Sequence, residues 1–374
     1  IRELVDETGQ VRSFEVAQEQ YHRRLTVFFI ANQASDSELD WLSFAVPVML
    51  AHDLNHETPL VTETTPQESK YLKSELQRRG FAEGQGAPRA LLLELARDRR
   101  SDAMLSGTLS ERDGAPVVTL SLIDVQNGQV LATLEETVDD WMTTTDRLSL
   151  GIQAALDLED ADLGENDPLT DNLSGSLSAV RQYVDAWRRV QFENDYAGGV
   201  ALLQQAITED PSFAEAYKLL AQVQFLSGAS QDALLTVQQA NAHDYRLSQQ
   251  SRFEMRAMAY QMQGKNEEAL RVLEMWAEVE PQNPAAFDNL GRVLMVQGTR
   301  HDDAHQAFER LLELNPGAHD TYLKLSQVER IRGDLKAAAA YARRFLEYRP
   351  DDPDAHLALA SLSFADGAFD AARD

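Results

Sequence analysis

The carboxyl-terminal half of the chain repeats one pattern of aromatic, apolar and small residues about every 34 positions. The clearest copy contains Phe287, Leu290 and Gly291 in a first segment, then Ala304 and Phe308 in a second. The small residue of the second segment recurs at Gly199, Ala233, Ala269, Ala304, Ala338 and Ala372. Short side chains allow two helices to approach closely, so the pattern predicts antiparallel helix pairs stacked side by side.

The amino-terminal part of the chain has a different pattern, in which short apolar runs alternate with helical segments. Residues 24–31 are apolar on both faces, which predicts a buried central strand. A helix is predicted from about Ser37, and Pro47 should kink or restart it. A short strand and two helices with early prolines are then expected at residues 60–62, 66–79 and 88–99.

Apolar and polar residues next alternate with a period of two, which is typical of half-buried strands. Glycine turns at Asp113-Gly114 and Asn127-Gly128 separate the runs, so an antiparallel meander is expected. Its three strands are predicted at residues 103–110, 117–124 and 130–138. A closing helix at residues 141–158 leads into an acidic stretch that is typical of a solvated linker.

These patterns predict an α+β amino-terminal domain, a mixed sheet with helices, followed by an all-α solenoid. The predicted boundaries are an amino-terminal extension at 1–23, the α+β domain at 24–158, the acidic linker at 159–177 and the solenoid at 178–374. The solenoid contains about six repeats, of which the last is truncated.

Composition narrows the function. The formal net charge of -27 opposes a phosphate backbone, and the basic residues are scattered, so nucleic acid is not an expected partner. The absence of cysteine excludes disulfides and thiol chemistry. No apolar run is long enough to span a membrane, so the fragment is not expected to insert directly. Because the chain starts at Ile1 without a signal-peptide pattern, it is expected to be a fragment of a longer protein.

The sequence predicts no catalytic, cofactor or metal site. The glycines at 80, 84 and 86 lack the strand and the Lys-Ser/Thr of a phosphate loop. His301 and His305 lie one helical turn apart beside acids, but this fits the exposed start of a helix better than a metal site. His52 and His56 have the same spacing and are interpreted as solvent-facing. The fragment itself is therefore not expected to be an enzyme.

The repeats from about residue 180 resemble the tetratricopeptide-repeat (TPR) family. Upstream, IANQASDSELDWLSFAVPVMLAHDL and LARDRRSDAMLSGTLSERDGAPVVTLSLIDVQNGQVLATLEETV precede them. This order resembles the carboxyl-terminal region of bacterial membrane-anchored signalling proteins, in which a TolB-like α/β domain is followed by TPRs. Those proteins are of the serine/threonine kinase, adenylate cyclase or winged-helix regulator type. The resemblance implies an output domain and a possible membrane anchor upstream, and a periplasmic location, with the cytoplasm as the alternative.

The TPR resemblance also implies a binding surface, because the first helix of each repeat lines a concave face. Repeat positions 2, 5, 9 and 12 face inward in that family. The residues expected to bind a peptide there are Arg188, Lys218, Gln222, Phe225, Met258, Arg292, Met295, Gln327 and Arg330. Their cations and methionines are expected to form one continuous trough. Trp187 replaces the usual small residue of the first repeat, so it is expected to contact the upstream domain.

These observations favour a sensor or scaffold module that binds a protein or peptide for an attached output domain. One alternative is a free-standing adaptor in envelope assembly. Another is the non-catalytic part of a TPR-bearing transferase. The sequence of the whole gene would separate the three, because a kinase, cyclase or DNA-binding domain before a single membrane span would decide for the first.

Overall fold

A computed structural model describes residues 2–14, 24–34, 36–57, 61–64, 76–81, 86–158, 167–298 and 300–365. The chain divides into two compact units. One contains Glu19–Gly264, and the other contains Lys265–Asp374 together with Ile1–Gln18. The predicted fold class is confirmed, because a mixed-sheet region is followed by an array of paired helices.

The amino-terminal region opens with a two-stranded hairpin, β1 (Arg2–Val5) and β2 (Val11–Phe14). The larger sheet contains β3 (Arg24–Val27), β4 (Ala31–Asn32), β5 (Val61–Thr64), β6 (Ala103–Arg112), β7 (Ala115–Asp124) and β8 (Val130–Thr137). Its strand order is β5-β3-β6-β7-β8, and β4 pairs with β6. The first three strands of this order are parallel, and β6, β7 and β8 form the predicted antiparallel meander. The strand β3 is therefore central and buried, as its apolar sequence predicted.

Helices cover both faces of the larger sheet. On one face, α1 (Leu42–Glu57) contributes to an apolar core with the sheet residues Leu105 and Leu120. On the other face, α2 (Arg89–Asp98) packs Leu92 and Leu95 against strand residues. The helix α3 (Trp141–Ala155) joins the first core. The predicted helix at 88–99 is thus confirmed, whereas most of the predicted helix at 66–79 lies outside the described residues.

Two details of α1 differ from the prediction. The helix begins at Leu42 instead of about Ser37, because Asp36 caps a separate 3-10 turn, Ser37–Leu39. It also continues through Pro47, which was expected to kink or restart it. Proline cannot donate to the carbonyl four residues earlier, that of Ser43. The amide of Ile30 donates to this carbonyl instead, at 3.2 Å, so a tertiary hydrogen bond satisfies the group that proline leaves open.

The two meander turns differ in length. Asp113 and Gly114 both have positive φ and form the tight turn between β6 and β7. The expected tight turn at Asn127-Gly128 is instead a longer loop between Asp124 and Val130. Asn127 organises this loop, because its amide donates to Oδ1 of Asp124 and its Oδ1 accepts from the amide of Gln129.

We expect Asn127→Pro to lower the free energy of unfolding of the sheet region by about 1–3 kcal/mol, because it removes both hydrogen bonds. Asn127→Asp keeps the backbone amide and a side-chain acceptor, and is the matched control. Denaturant unfolding of both variants measures the difference. Equal stability of the two variants would contradict the role given to these two hydrogen bonds. Ready proteolysis of the wild type between Gly107 and Val138 would contradict the meander.

A short helix, α4 (Leu169–Asn172), follows residues 159–166, which lie outside the described residues. Leu169 and Leu173 are buried in the same core as the sheet residues and the first repeat. Asn172 donates to Oδ1 of Asp53, which lies on α1 and is buried. Part of the segment predicted as a solvated linker therefore packs as protein interior.

The array alternates first and second helices, as predicted. The first helices are α5 (Leu177–Arg188), α7 (Ala214–Leu226), α9 (Gln249–Met262), α11 (Pro284–Gln297), α13 (Thr321–Arg332) and α15 (Pro353–Ala365). The second helices are α6 (Tyr196–Glu209), α8 (Ser230–Ala240), α10 (Asn266–Val279), α12 (His301–Leu314) and α14 (Leu335–Tyr348). A π-helical turn, Arg189–Glu193, extends α5.

The small residues mark close helix contacts, as predicted. Ala233, Ala304 and Ala338 are completely buried in their second helices. A β-carbon added to Gly291 on α11 would lie 2.6 Å from the ring of Phe308 on α12. This distance is too short for any larger side chain unless the ring moves, so the pair requires glycine at this position.

Among the residues described, no helix is long and apolar enough to cross a membrane.

Candidate functional site

The chain itself already covers the inward face of the first repeat. The Arg181 guanidinium lies 3.6 Å from a carboxylate oxygen of Glu38 and 5.6 Å from the ring centroid of Trp41. Val184, one helical turn further along α5, is completely buried. Arg188 stacks on Phe44, the first-turn aromatic of α1, with its guanidinium carbon 4.5 Å from the ring centroid.

Aromatic packing holds this contact together. Trp187 contacts Phe29 edge-on at 5.8 Å between ring centroids, which confirms its predicted contact with the upstream domain. Phe192 contacts both Trp187 and Phe44, at 5.7 and 6.4 Å. Rings at these separations and steep angles attract each other beyond their apolar burial. The structure therefore assigns Arg188 to internal packing, and the predicted peptide-binding face begins after the first repeat.

Lys218 lies in a buried network of charges on α7 and α9. Its Nζ is 2.9 Å from Oε2 of Glu215 and 3.6 Å from Oε2 of Glu254. It also donates to Oγ of Ser251 at 2.6 Å, and that hydroxyl donates to Oε1 of Glu215. Only 18% of the Lys218 side chain is exposed. Two carboxylates thus surround one ammonium, so the group carries a net negative charge and offers little attraction to an acidic peptide.

The pKa values in this network follow from the pairing. Burial acts to lower the pKa of Lys218, but the Glu215 and Glu254 carboxylates outweigh it and raise that pKa. Burial acts to raise the pKa of Glu215, but Lys218 and the nearby His52 of α1 hold it below its ordinary value. Lys218 and Glu215 are therefore both charged near neutral pH, and the network is stable because its charges are paired.

Three other predicted residues lie in the carboxyl-terminal halves of α7 and α9. Phe225 is exposed, and Gln222 is half-buried on the same helix. Met258 is half-buried and packs against the apolar cluster of Tyr217 and Ala221. Leu226, which the sequence-based prediction omitted, is 71% exposed. These four side chains present apolar and amide groups, and none of them is a cation.

The carboxyl-terminal unit places two cations on adjacent first helices. Lys324 of α13 forms an ion pair with Asp288 of α11, so these two helices lie side by side. Arg292 and Arg330 follow on the same helices, and both are exposed. Neither guanidinium has an ion pair or hydrogen bond with any residue that the structure describes. The two predicted cations that remain open are therefore in this unit.

Apolar and amide groups accompany these cations. Met295 is half-buried and Gln327 is exposed, on α11 and α13 respectively. Val296 and Ile331 are 80% and 42% exposed and were not predicted as site residues. The sequence could have indicated them, because the repeat position of Val296 and Ile331 is apolar in the preceding repeats as well. It holds Phe192, Leu226 and Met262 there.

The histidine pairs do not form a metal site within the described ranges, where no group of three or more ligating residues is suitably placed. His305 instead lies between two carboxylates, 2.6 Å from Glu329 and 3.1 Å from Glu309. His52 is half-buried, and its Nε2 is 3.2 Å from the carbonyl oxygen of Asn172, so its interpretation as solvent-facing was wrong. The side chain of His56 lies outside the described part of the structure.

Family models and solved structures match the array. One tetratricopeptide-repeat model matches residues 193–251, and another matches 254–319, 296–346 and 323–374. A search of curated proteins gave no match. Similar solved structures include a thermophilic TPR protein of Thermus thermophilus, at 22% identity over 50% of this chain and 99% of that one, with a TM-score of 0.44.

Two further structures have the same level of similarity. A TPR protein from Parabacteroides merdae is 21% identical over 52% of this chain and 75% of that one, with a TM-score of 0.39. PilW, a widely conserved type IV pilus biogenesis factor, is 17% identical over 53% and 90%, with a TM-score of 0.46. The family-model matches to residues 193–251 and 254–374, with the helix pairs of the described residues, support tetratricopeptide repeats in the carboxyl-terminal half of the chain.

Proposed function

We propose that this chain is a protein-interaction module that binds a partner protein or peptide on the faces of its first TPR helices. One observation carries the proposal. Arg292 and Arg330 remain exposed and without a charged partner among the described residues, in a chain whose net charge is -27. Exposed cations next to apolar side chains match a ligand that carries carboxylates and apolar groups.

The proposed surface is smaller than the sequence predicted. In the carboxyl-terminal unit it retains Arg292, Met295, Gln327 and Arg330. In the other unit Gln222, Phe225 and Met258 remain as a separate candidate surface. Arg188 packs on Phe44, and Lys218 is paired with two glutamates, so we assign both to stability. Because binding requires accessible groups, exposed cations are better suited to a ligand than buried ones that are already paired.

The wider role is a sensor or scaffold within a bacterial signalling protein. This part of the proposal rests on the resemblance of the upstream segment to TolB-like domains that precede TPR arrays. The covered first repeat supports it physically, because the contact fixes the mixed-sheet region to the start of the array. The complete gene tests this role, since it should encode a signalling output domain before the region described.

We expect the double variant Arg292→Glu, Arg330→Glu to weaken binding of an acidic peptide selected from a peptide library by about 30-fold. Each exposed cation contributes on the order of 1 kcal/mol at a wet interface, and reversal also adds repulsion. Fluorescence titration at two salt concentrations measures the loss and its electrostatic part.

The matched control is Lys336→Glu, Arg343→Glu, which makes the same charge change on exposed positions of the second helix α14. It should bind the selected peptide nearly as well as the wild type. Equal weakening by both double variants would show that only net charge matters. Binding that neither variant weakens would place the site away from the first helices.

A further inference from the structure

The first repeat shows what kind of group its first helix accepts. Arg188 and Phe192 are four positions apart, and both contact the Phe44 ring. The guanidinium lies over the ring at 4.5 Å, while Phe192 contacts the ring edge-on at 6.4 Å. A cation and an apolar residue at this spacing therefore hold one aromatic side chain between them.

The same pair recurs once more in the array. Arg292 and Val296 on α11 occupy the sequence positions of Arg188 and Phe192, counted from the helix-pair aromatics Phe287 and Tyr183. The backbone differs, because Phe192 lies in the π-helical turn Arg189–Glu193 and Val296 lies on the regular helix α11. Three other first helices have no cation at the first of these two positions. The pairs there are Gln222 and Leu226 on α7, Met258 and Met262 on α9, and Gln327 and Ile331 on α13. The arginine-apolar pair thus belongs to the first repeat, where it is filled, and to α11.

On α11 the pair has no occupant among the described residues. Val296 is 80% exposed, the highest exposure of any large apolar side chain in the described part of the chain. The guanidinium of Arg292 is exposed and has no ion pair or hydrogen bond there. An exposed apolar side chain one helical turn from an exposed guanidinium offers a surface that an aromatic ring can cover.

We propose that Arg292 and Val296 form a receptor for one aromatic side chain of a partner protein, carried on a segment with a neighbouring carboxylate. The ring lies against the Arg292 guanidinium and contacts the Val296 side chain one helical turn away. The carboxylate is directed to Arg330 on the adjacent helix α13. This inference rests on the proposed function and names the chemistry of its ligand.

A second copy of the chain does not supply the ring through Phe44, because that side chain is only 1% exposed. The segment of this chain that covers the first repeat nevertheless indicates which side chains the ligand should carry. Glu38, Trp41 and Phe44 follow one another at three-residue steps, and the first two contact Arg181 while the third contacts Arg188. The expected partner segment therefore combines an acidic residue with an aromatic residue a few positions away.

The probe is a synthetic peptide with the sequence of residues 37–48, SELDWLSFAVPV, added to the intact chain with labelled valine methyl groups. We expect saturable upfield shifts of the Val296 methyl signals, because an aromatic ring above them alters their magnetic environment. The same peptide with Trp41→Ala and Phe44→Ala should leave those signals in place.

Arg292→Gln should weaken the peptide about threefold to thirtyfold, the range for one cation-aromatic contact, while Arg343→Gln on α14 should not weaken it. Val296→Ser should weaken it as well, and Leu235→Ser, at an exposed apolar position of the second helix α8, should not. Unmoved Val296 methyls at millimolar peptide, or equal effects of Arg292→Gln and Arg343→Gln, would overturn the aromatic receptor.

The same titration separates this inference from the proposed function. If the peptide binds and the Arg292→Glu, Arg330→Glu variant weakens it while the Val296 methyls stay unmoved, the first-helix surface stands and the aromatic receptor fails. If that double variant also has no effect, both fail.

Discussion

Lys218→Met should lower the free energy of unfolding by about 3–5 kcal/mol at pH 7, the usual result of removing one partner from a buried ion pair. Glu215 is 8% exposed in its side chain, and it would lose its main counter-charge. Glu254 would lose the same neighbour. Denaturant unfolding monitored by circular dichroism measures the loss, and the double variant Lys218→Met, Glu215→Gln should recover part of it.

The loss should depend on pH in a defined direction. In the wild type the folded pKa of Glu215 is lowered, so its contribution is present above the unfolded value of about 4.3 and disappears as pH falls through the folded value. In Lys218→Met, burial acts without the ammonium and favours the protonated acid. The difference in stability between wild type and variant should therefore narrow as pH falls from about 7 toward 4.

Lys324→Met is the matched control, because Lys324 pairs with Asp288 but both side chains are more exposed, at 28% and 27%. A pair this accessible to water contributes about 0–1 kcal/mol. If Lys218→Met costs no more than Lys324→Met, the network on α7 and α9 is not the buried, paired cluster described above. Its lysine would then be available to a ligand.

Trp187→Ala should cost about 3–5 kcal/mol, because it removes a large ring from a closely packed core. Trp187 is 3% exposed and contacts Phe29 and Phe192. The effect should extend beyond α5, because the ring joins the first repeat to the sheet region. Hydrogen exchange should therefore become faster in β3 and α1 as well as in α5.

Phe213→Ala is the control for that extension. Phe213 is completely buried and packs on Tyr183 at 5.1 Å between ring centroids, so its removal affects the contact between the first two repeats. Its loss should accelerate exchange in α5 and α7 more than in β3. If Trp187→Ala leaves exchange in β3 and α1 unchanged, the sheet region and the first repeat are not stabilised by a common core.

The repeat array could be predicted because its signal is local and recurs. Gly291 and Ala304 are small because two helices are in close contact there. Every repeat needs a small residue at such a contact, so the pattern recurs along the sequence. The meander could be predicted from alternation and from glycine turns. Pro47 was misjudged because the hydrogen bond that permits it comes from Ile30, and sequence spacing carries no record of such a tertiary partner.

The site could be predicted only in part. Repeat positions give the direction of a side chain, but they do not show what lies opposite it. Arg188 faces inward as expected, yet α1 already covers it with Phe44. The pairing of Lys218 could have been predicted from the repeat register. Glu215 lies three residues before it and Glu254 lies one repeat further on, and both occupy inward positions. Counting the acids beside each cation would have identified it as paired.

Site-specific photo-crosslinking in the native host tests most directly the claim that a partner binds the faces of the first helices. A photoreactive phenylalanine analogue is placed at Val296 on the first helix α11 and, in a separate protein, at Arg343, an exposed position on the second helix α14. We predict that position 296 crosslinks to a discrete partner, that Arg292→Glu, Arg330→Glu diminishes this product, and that position 343 does not capture the partner. Crosslinks from position 343 alone, or products at 296 that the double variant leaves unchanged, would contradict the account.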